Sequence, residues 1–218
     1  MKPGVEDYLN VMDVTILKLN YTECDRPIIA NASEVKTDKD KEANTCVYPY
    51  SDIKIRWGRY PILRDALLNC KQCTGPVLVT DTRDTYFQRD PFGDVAPPVT
   101  GLQLFAEHRL NSAKHHFVAK QVRECRNLFE MDGPMLCSGT TIATRKTMLT
   151  YVDIMYHQEM RQWMIDPNCF FKSHGGDQAI MNFLFYSGKF DALNPHINMP
   201  RDGQVNTVGY IGSKIVQM

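Results

Sequence analysis

Apolar positions fall into two rhythms along this chain, and the switches between them predict a series of strands and helices. Residues 14–19 (VTILKL) and 27–30 (PIIA) read as short strands, and the charged stretch 33–44 (SEVKTDKDKEAN) between them and Tyr48 reads as a solvated loop. Residues 53–57 (IKIRW) alternate in the manner of a half-buried strand. Gly58 interrupts that alternation, and 60–68 then carry apolar residues at helical spacing, with Pro61 in the first turn. Residues 77–79 (VLV) and 102–106 (LQLFA) predict buried strands, whereas the prolines of 93–100 exclude a helix interior and a central strand and predict a loop. A helix is expected over 111–129, with Val118, Val122 and Cys125 on its inner face. Residues 135–139 and 140–143 read as extended. From 146 to 163 apolar residues recur at Met148, Leu149, Val152, Met155, Met160 and Trp163, the pattern of a long amphipathic helix. Gly176, Asp177 and Gln178 open a further helix over 179–186.

Strands alternating with helices predict one α/β domain over residues 1–218, with a mostly parallel sheet flanked by helices and an irregular first 50 residues. Chain length and a hydrophobic content of 43% suit a single core of ordinary size. Twenty-five basic residues balance twenty-five acidic ones, so no broad field exists to draw nucleic acid or an anionic membrane. No apolar run approaches the roughly 20 residues that span a bilayer, and the first residues have neither a basic nor an apolar signal region. Seven cysteines leave at least one thiol unpaired within the chain. Their one close pair, Cys70 and Cys73, is weak evidence for zinc without a second pair. Two sequons, at Asn20 and Asn31, together with the cysteines, tilt the reading toward an oxidising lumen.

Candidate chemistry concentrates in residues 76–92 (PVLVTDTRDTYFQRDPF), where an apolar strand closes on Asp81, Asp84 and Asp90. Ligands of open α/β sheets bind at that end of a strand. Carboxylates there suit Mg²⁺ or Mn²⁺, which use one or two acids plus substrate phosphates. The alternative is that one acid caps a turn while another pairs with Arg83 or Arg89. A phosphatase motif of the form DxDx(T/V) fails because Arg83 stands at its third position. A second candidate is 173–178 (SHGGDQ), where Asp177 could accept a proton or orient a sugar hydroxyl, or else merely cap a helix. Residues 137–141 (CSGTT), with Ser138 and Gly139 at their centre, form a small polar step at a strand end that could admit a sugar or phosphate. Arg56, Arg59 and Arg64 stand near a helix start, where guanidinium groups can pair with a diphosphate, or lie on a solvated face. His174 and His196 lie near candidate loops, whereas His115 and His116 decorate a helix. No nucleophile–base pair, GxGxxG or P-loop pattern is present.

Taken in order, these segments resemble the nucleotide-sugar-dependent glycosyltransferases of GT-A fold, and most nearly a eukaryotic group with a central (T/S)DxRDxxFQxDPF element, here residues 80–92. The resemblance spans residues 53–210 and includes Arg56 to Tyr60 running on to Leu68, Ser138-Gly139 with Thr144-Arg145, and Gly175-Gly176-Asp177-Gln178 running to Asn182. It implies a Rossmann-like GT-A fold, which the irregular first 50 residues and the end at Met218 suggest is incomplete at both ends. It implies a Mn²⁺ or Mg²⁺ cofactor on Asp81 and Asp84, bridging the diphosphate of a UDP- or GDP-sugar donor. Arg59, Arg64, Arg83, Ser138 and Gly139 would bind the donor, and Asp177 with Gln178 would act on the transferred sugar or a glycan or glycoprotein acceptor. A Golgi or secretory location within a longer chain follows from the same likeness. A catalytically weak glycan- or nucleotide-binding module of the same fold is the competing expectation. A metal-dependent phosphohydrolase or nucleotidyltransferase would need a further acid cluster that the sequence lacks.

Overall fold

The computed structural model describes residues 26–28, 45–47, 55–81, 85–93, 99–107, 117–126, 131–166, 169, 176–200 and 204–207. Several expectations fall outside these, namely strand 14–19, the 33–44 loop, both sequons, Arg83, Asp84 and His174. Strands β1 (Arg26–Ile28) and β2 (Thr45–Val47) pair in parallel, Arg26 opposite Thr45.

Helix α1 (Ile55–Asn69) starts earlier than the sequence pattern predicts and takes in most of the expected strand 53–57. Trp57, Tyr60 and Leu67 are buried along it at helical intervals, and five alternating residues cannot distinguish that face from a strand face. Pro61 consequently lies inside the helix rather than in its first turn, and removes the N–H that would bond the Trp57 carbonyl. Beyond the helix, Cys70 N–H donates to the Ala66 carbonyl at 3.0 Å, and Cys70 and Cys73 form a disulfide. The close cysteine pair is therefore a cross-link and not a zinc site.

The central sheet holds β3 (Pro76–Thr80), β5 (Gln103–Ala106), β6 (Leu136–Thr144) and β7 (His196–Asn198) in the order β3-β6-β5-β7. Strand β6 runs antiparallel to both β3 and β5, and the β5–β7 pairing is the one parallel pairing of this sheet. The sheet is mixed, which corrects the expectation of a mostly parallel one. Hydrophobic periodicity reports which face of a strand is covered but says nothing of the strand's direction. A bulge opposite Leu104 and Phe105 lets the nine residues of β6 keep both neighbours. A separate antiparallel ribbon joins β4 (Thr85–Phe87) to β8 (Val205–Thr207).

Helices cover one face of the sheet. They are α2 (Phe117–Arg126), α3 (Arg145–Asp153), a π-helical segment (Ile154–Met160), α4 (Arg161–Ile165) and α5 (Gly176–Tyr186). The predicted helix 146–163 is thus continuous but changes pitch, and its wide central turn buries the adjacent pairs Met155-Tyr156 and Glu159-Met160. Thr144 starts α3 by accepting a hydrogen bond from Thr147 N–H at 3.2 Å. Leu104, Ala106, Leu136 and Ala143 pack against Trp57, Tyr60, Val118, Val122 and Met148 in the main core. Phe105, Ile142 and Val205 form a smaller cluster by themselves, as alternation along the strands requires. Among the described residues no helix is long and apolar enough to cross a membrane.

Candidate functional site

Four separate chain segments bring polar side chains together where β3 ends. The β3–β6 ladder continues one step past its last residue, with Asp81 N–H donating to the Gly139 carbonyl at 2.8 Å. This lays the Asp81 side chain against Gly139, where a Cβ would stand only 2.3 Å from Asp81 Oδ2. Glycine at 139 is therefore what allows the carboxylate its position. Helix α5 is held to β6 by Asn182, which accepts from Leu136 N–H and donates to the Leu136 carbonyl, both at 2.9 Å. That pairing sets the first turn of α5, and with it Asp177, beside Ser138. Helix α1 is anchored from its far end, where Arg145 donates from Nε and Nη2 to the Leu67 carbonyl at 3.0 and 2.7 Å.

Arg59 sits at the centre of the cluster. Its Nη1 donates to Asp81 Oδ1 at 2.8 Å, and its Nη2 donates to Asp177 Oδ2 and, more weakly, to Ser138 Oγ at 3.3 Å. Ser138 Oγ in turn donates to Asp177 Oδ2 at 3.0 Å. Exposure is graded across the group: the Asp81 side chain is 48% accessible, Arg59 24% and Asp177 4%. One guanidinium between two carboxylates leaves one formal negative charge, and the accessible end of the cluster is Asp81. Burial works against the Arg59 charge, but Tyr60, Asp177, Asp81 and Tyr151 outweigh it and hold the guanidinium protonated beyond its ordinary range.

Beneath Arg59 lie three buried hydroxyls, those of Tyr60, Tyr151 and Thr141, which adjoin one another with Tyr151 in the middle but, among the described residues, fall short of good hydrogen-bond geometry. Burial pushes the Tyr151 phenol up to about 12, and burial followed by the neighbouring Tyr151 pushes Tyr60 well above its ordinary value. Burial, with Glu107 adding to it, also raises the Cys137 thiol, which accepts from Gly139 N–H at 3.3 Å. A thiol so held is no nucleophile at neutral pH.

The structure thus gathers Arg59, Asp81, Ser138, Gly139 and Asp177, five of the residues that the sequence singled out. Among the described residues, it does not gather the others. Arg64 turns to α3, donating from Nε to Asp153 Oδ1 at 2.7 Å, so it is not part of the expected donor-binding group. Gln178 donates from Nε2 to the Leu136 carbonyl at 3.0 Å, a bond that fastens α5 to β6. Asp90 accepts from Phe92 N–H at 2.9 Å and shapes a turn, the structural alternative weighed for one of the three acids. Arg83 and Asp84 lie outside the described residues. Sequence reasoning passed over Tyr151, because a helix-face tyrosine carries no sign of what lies above it.

As a metal site, the described residues offer a partial fit. No group of three or more His, Cys, Asp and Glu gathers among them. A Mg²⁺- or Mn²⁺-type site needs only one or two carboxylates beside substrate phosphates, and the accessible Asp81 can be one. Comparison of the chain with models of known families, with curated proteins and with solved structures returned no match.

Proposed function

We propose that the chain is a metal-dependent glycosyltransferase of GT-A-like fold, moving a sugar from a nucleotide diphosphate to a hydroxyl of a glycan or glycoprotein. The convergence of Arg59, Asp81, Ser138, Gly139 and Asp177 at one end of β3 carries this reading. These are residues of four motifs that are distant in sequence, and the proposal requires them to share one site. Mn²⁺ or Mg²⁺ would be held by Asp81, joined by Asp84, and when bound supplies positive charge to the departing diphosphate.

The protein groups have distinct work. Both described bonds to Asp177 fall on Oδ2, so Oδ1 is the oxygen that would accept a sugar hydroxyl. Arg59 holds that carboxylate in place, and its Asp81 contact keeps the outer acid oriented. Gly139 leaves the room that the Asp81 carboxylate occupies. The Thr80–Thr85 hydroxyl bond, 2.7 Å long, starts β4 beside Asp81, and β4 carries the exposed rings of Tyr86 and Phe87. Exposed rings of this kind suit the apolar face of a sugar. The Cys70–Cys73 disulfide supports an oxidising compartment, in keeping with a secretory or Golgi location.

A second reading, a binding module of the same fold with little turnover, draws on the engagement of both carboxylates by Arg59. Thermal-shift titration with UDP- and GDP-sugars, with and without Mn²⁺, tests both. At a hundredfold excess over Kd, donor plus metal should raise Tm by roughly 5–10 °C, and Asp81→Ala should abolish the metal-dependent part. Release or transfer of sugar then selects the enzyme over the module. Absence of any shift with every nucleotide diphosphate and metal would overturn both.

A further inference from the structure

Arg59 is shared between two carboxylates, and the sharing is uneven. Its Nη2 edge is held on the buried side, donating to Asp177 Oδ2, to Ser138 Oγ at 3.3 Å and to the Ser138 carbonyl at 3.4 Å. The guanidinium carbon stands 5.5 Å from the centre of the Tyr60 ring, so the same side packs on a buried aromatic. Its Nη1 edge donates to Asp81 Oδ1 at 2.8 Å, and that carboxylate is about half accessible.

The two ends therefore differ in how readily they let go. Water replaces an accessible ion-pair partner at little cost, whereas breaking a buried pair strands its charge. A divalent cation arriving at Asp81 meets a guanidinium already bonded to Oδ1, and two positive groups on one carboxylate repel. The contact that yields is the Nη1 bond to Asp81, while the Nη2 bonds keep Arg59 in the site. The family likeness implies a diphosphate partner for Arg59, yet here both of its edges rest on acids. Displacement at Asp81 reconciles the two, because an edge without its carboxylate is a donor for a phosphate oxygen.

We infer that Arg59 is the site's own counter-ion, displaced from Asp81 at its Nη1 edge by an incoming divalent cation, which frees that edge for a diphosphate. The inference rests on the reading above that Asp81 receives the cation. It adds that cation and guanidinium compete for one carboxylate, and that the cation and a phosphate group then bind together through Arg59.

Mn²⁺ alone, titrated at low salt and followed by paramagnetic resonance of the free ion, is the probe. The decisive protein is the double variant Arg59→Met, Asp177→Asn. Asp81, Arg59 and Asp177 together carry one formal negative charge, and so does the double variant through Asp81, so a change in affinity reports the competition and not the field. The double variant should bind Mn²⁺ roughly twofold to fivefold more tightly than wild type. Asp177→Asn alone, which leaves Arg59 to Asp81, should bind it more weakly. With Mn²⁺ saturating, UDP should bind the double variant less tightly than wild type, opposite to the metal, and a misfolded protein would not gain affinity for the ion. If the double variant binds Mn²⁺ no more tightly than wild type while Asp81→Ala abolishes binding, the counter-ion role is overturned and the metal reading stands. Equal UDP affinity in the two proteins overturns the release of Nη1, and no Mn²⁺ binding by any of the proteins sinks the inference and the metal reading together.

Discussion

Replacing Arg59 by methionine keeps much of the side chain's volume and removes the one cation between Asp81 and Asp177. The two acids lose unequally. Asp81 is about half accessible, and water replaces its lost partner at a cost of roughly 0–1 kcal/mol. Asp177 is 4% accessible and, among the described residues, keeps the Ser138 hydroxyl alone, so its charge is stranded. Stranding a buried charge costs about 3–5 kcal/mol, and the remaining hydroxyl bond places Arg59→Met near the lower end, about 3 kcal/mol. For a chain of this length that lowers Tm by roughly 6–12 °C. Asp177→Asn alone leaves Arg59 paired with Asp81 and should cost about 1–2 kcal/mol. The double variant should cost about 2–3 kcal/mol, well below the sum, because one substitution removes the group that the other strands. Urea unfolding followed by fluorescence of the buried Trp57 and Trp163 measures all three. Additive losses, or an Arg59→Met variant within about 0.5 kcal/mol of wild type, would refute the view that this guanidinium neutralises a buried carboxylate.

Two more outcomes follow from the same geometry. Gly139→Ala sets a Cβ where Asp81 Oδ2 lies, so the carboxylate must swing off Arg59; ligand stabilisation should disappear while thermal stability falls by only about 1 kcal/mol, read by calorimetry with and without donor and metal. At high pH the tyrosines below Arg59 should limit stability. Their folded pKa values are raised, so the stability they contribute is complete below the ordinary value of 10.0 and is lost as pH climbs from there through about 12 for Tyr151. Tyr60→Phe and Tyr151→Phe should each flatten that loss. At neutral pH neither should cost more than about 1 kcal/mol, since the hydroxyls meet one another only in poor hydrogen-bond geometry.

The sequence by itself determined most of the elements and the identity of the central acids. A run such as Val77 to Val79 ending on Asp81, or apolar residues recurring from Met148 to Trp163, states its own period and its own end, because side-chain alternation is a local property. The same locality explains the errors. Five alternating residues before Gly58 fitted a strand and a helix equally, and burial of Trp57 against the core decided for the helix. Strand direction was out of reach as well, since β6 presents the same residues whichever way its neighbours run. Only the tertiary structure chose among Arg59 and Arg64, five positions apart on one helix, by turning one toward Asp81 and Asp177 and the other toward Asp153. It likewise separated Asp177, which faces Arg59, from Gln178, which fastens α5 to β6. Residue type marks which groups are able to do chemistry, but which of them meet depends on helix phase and strand register, and packing sets both.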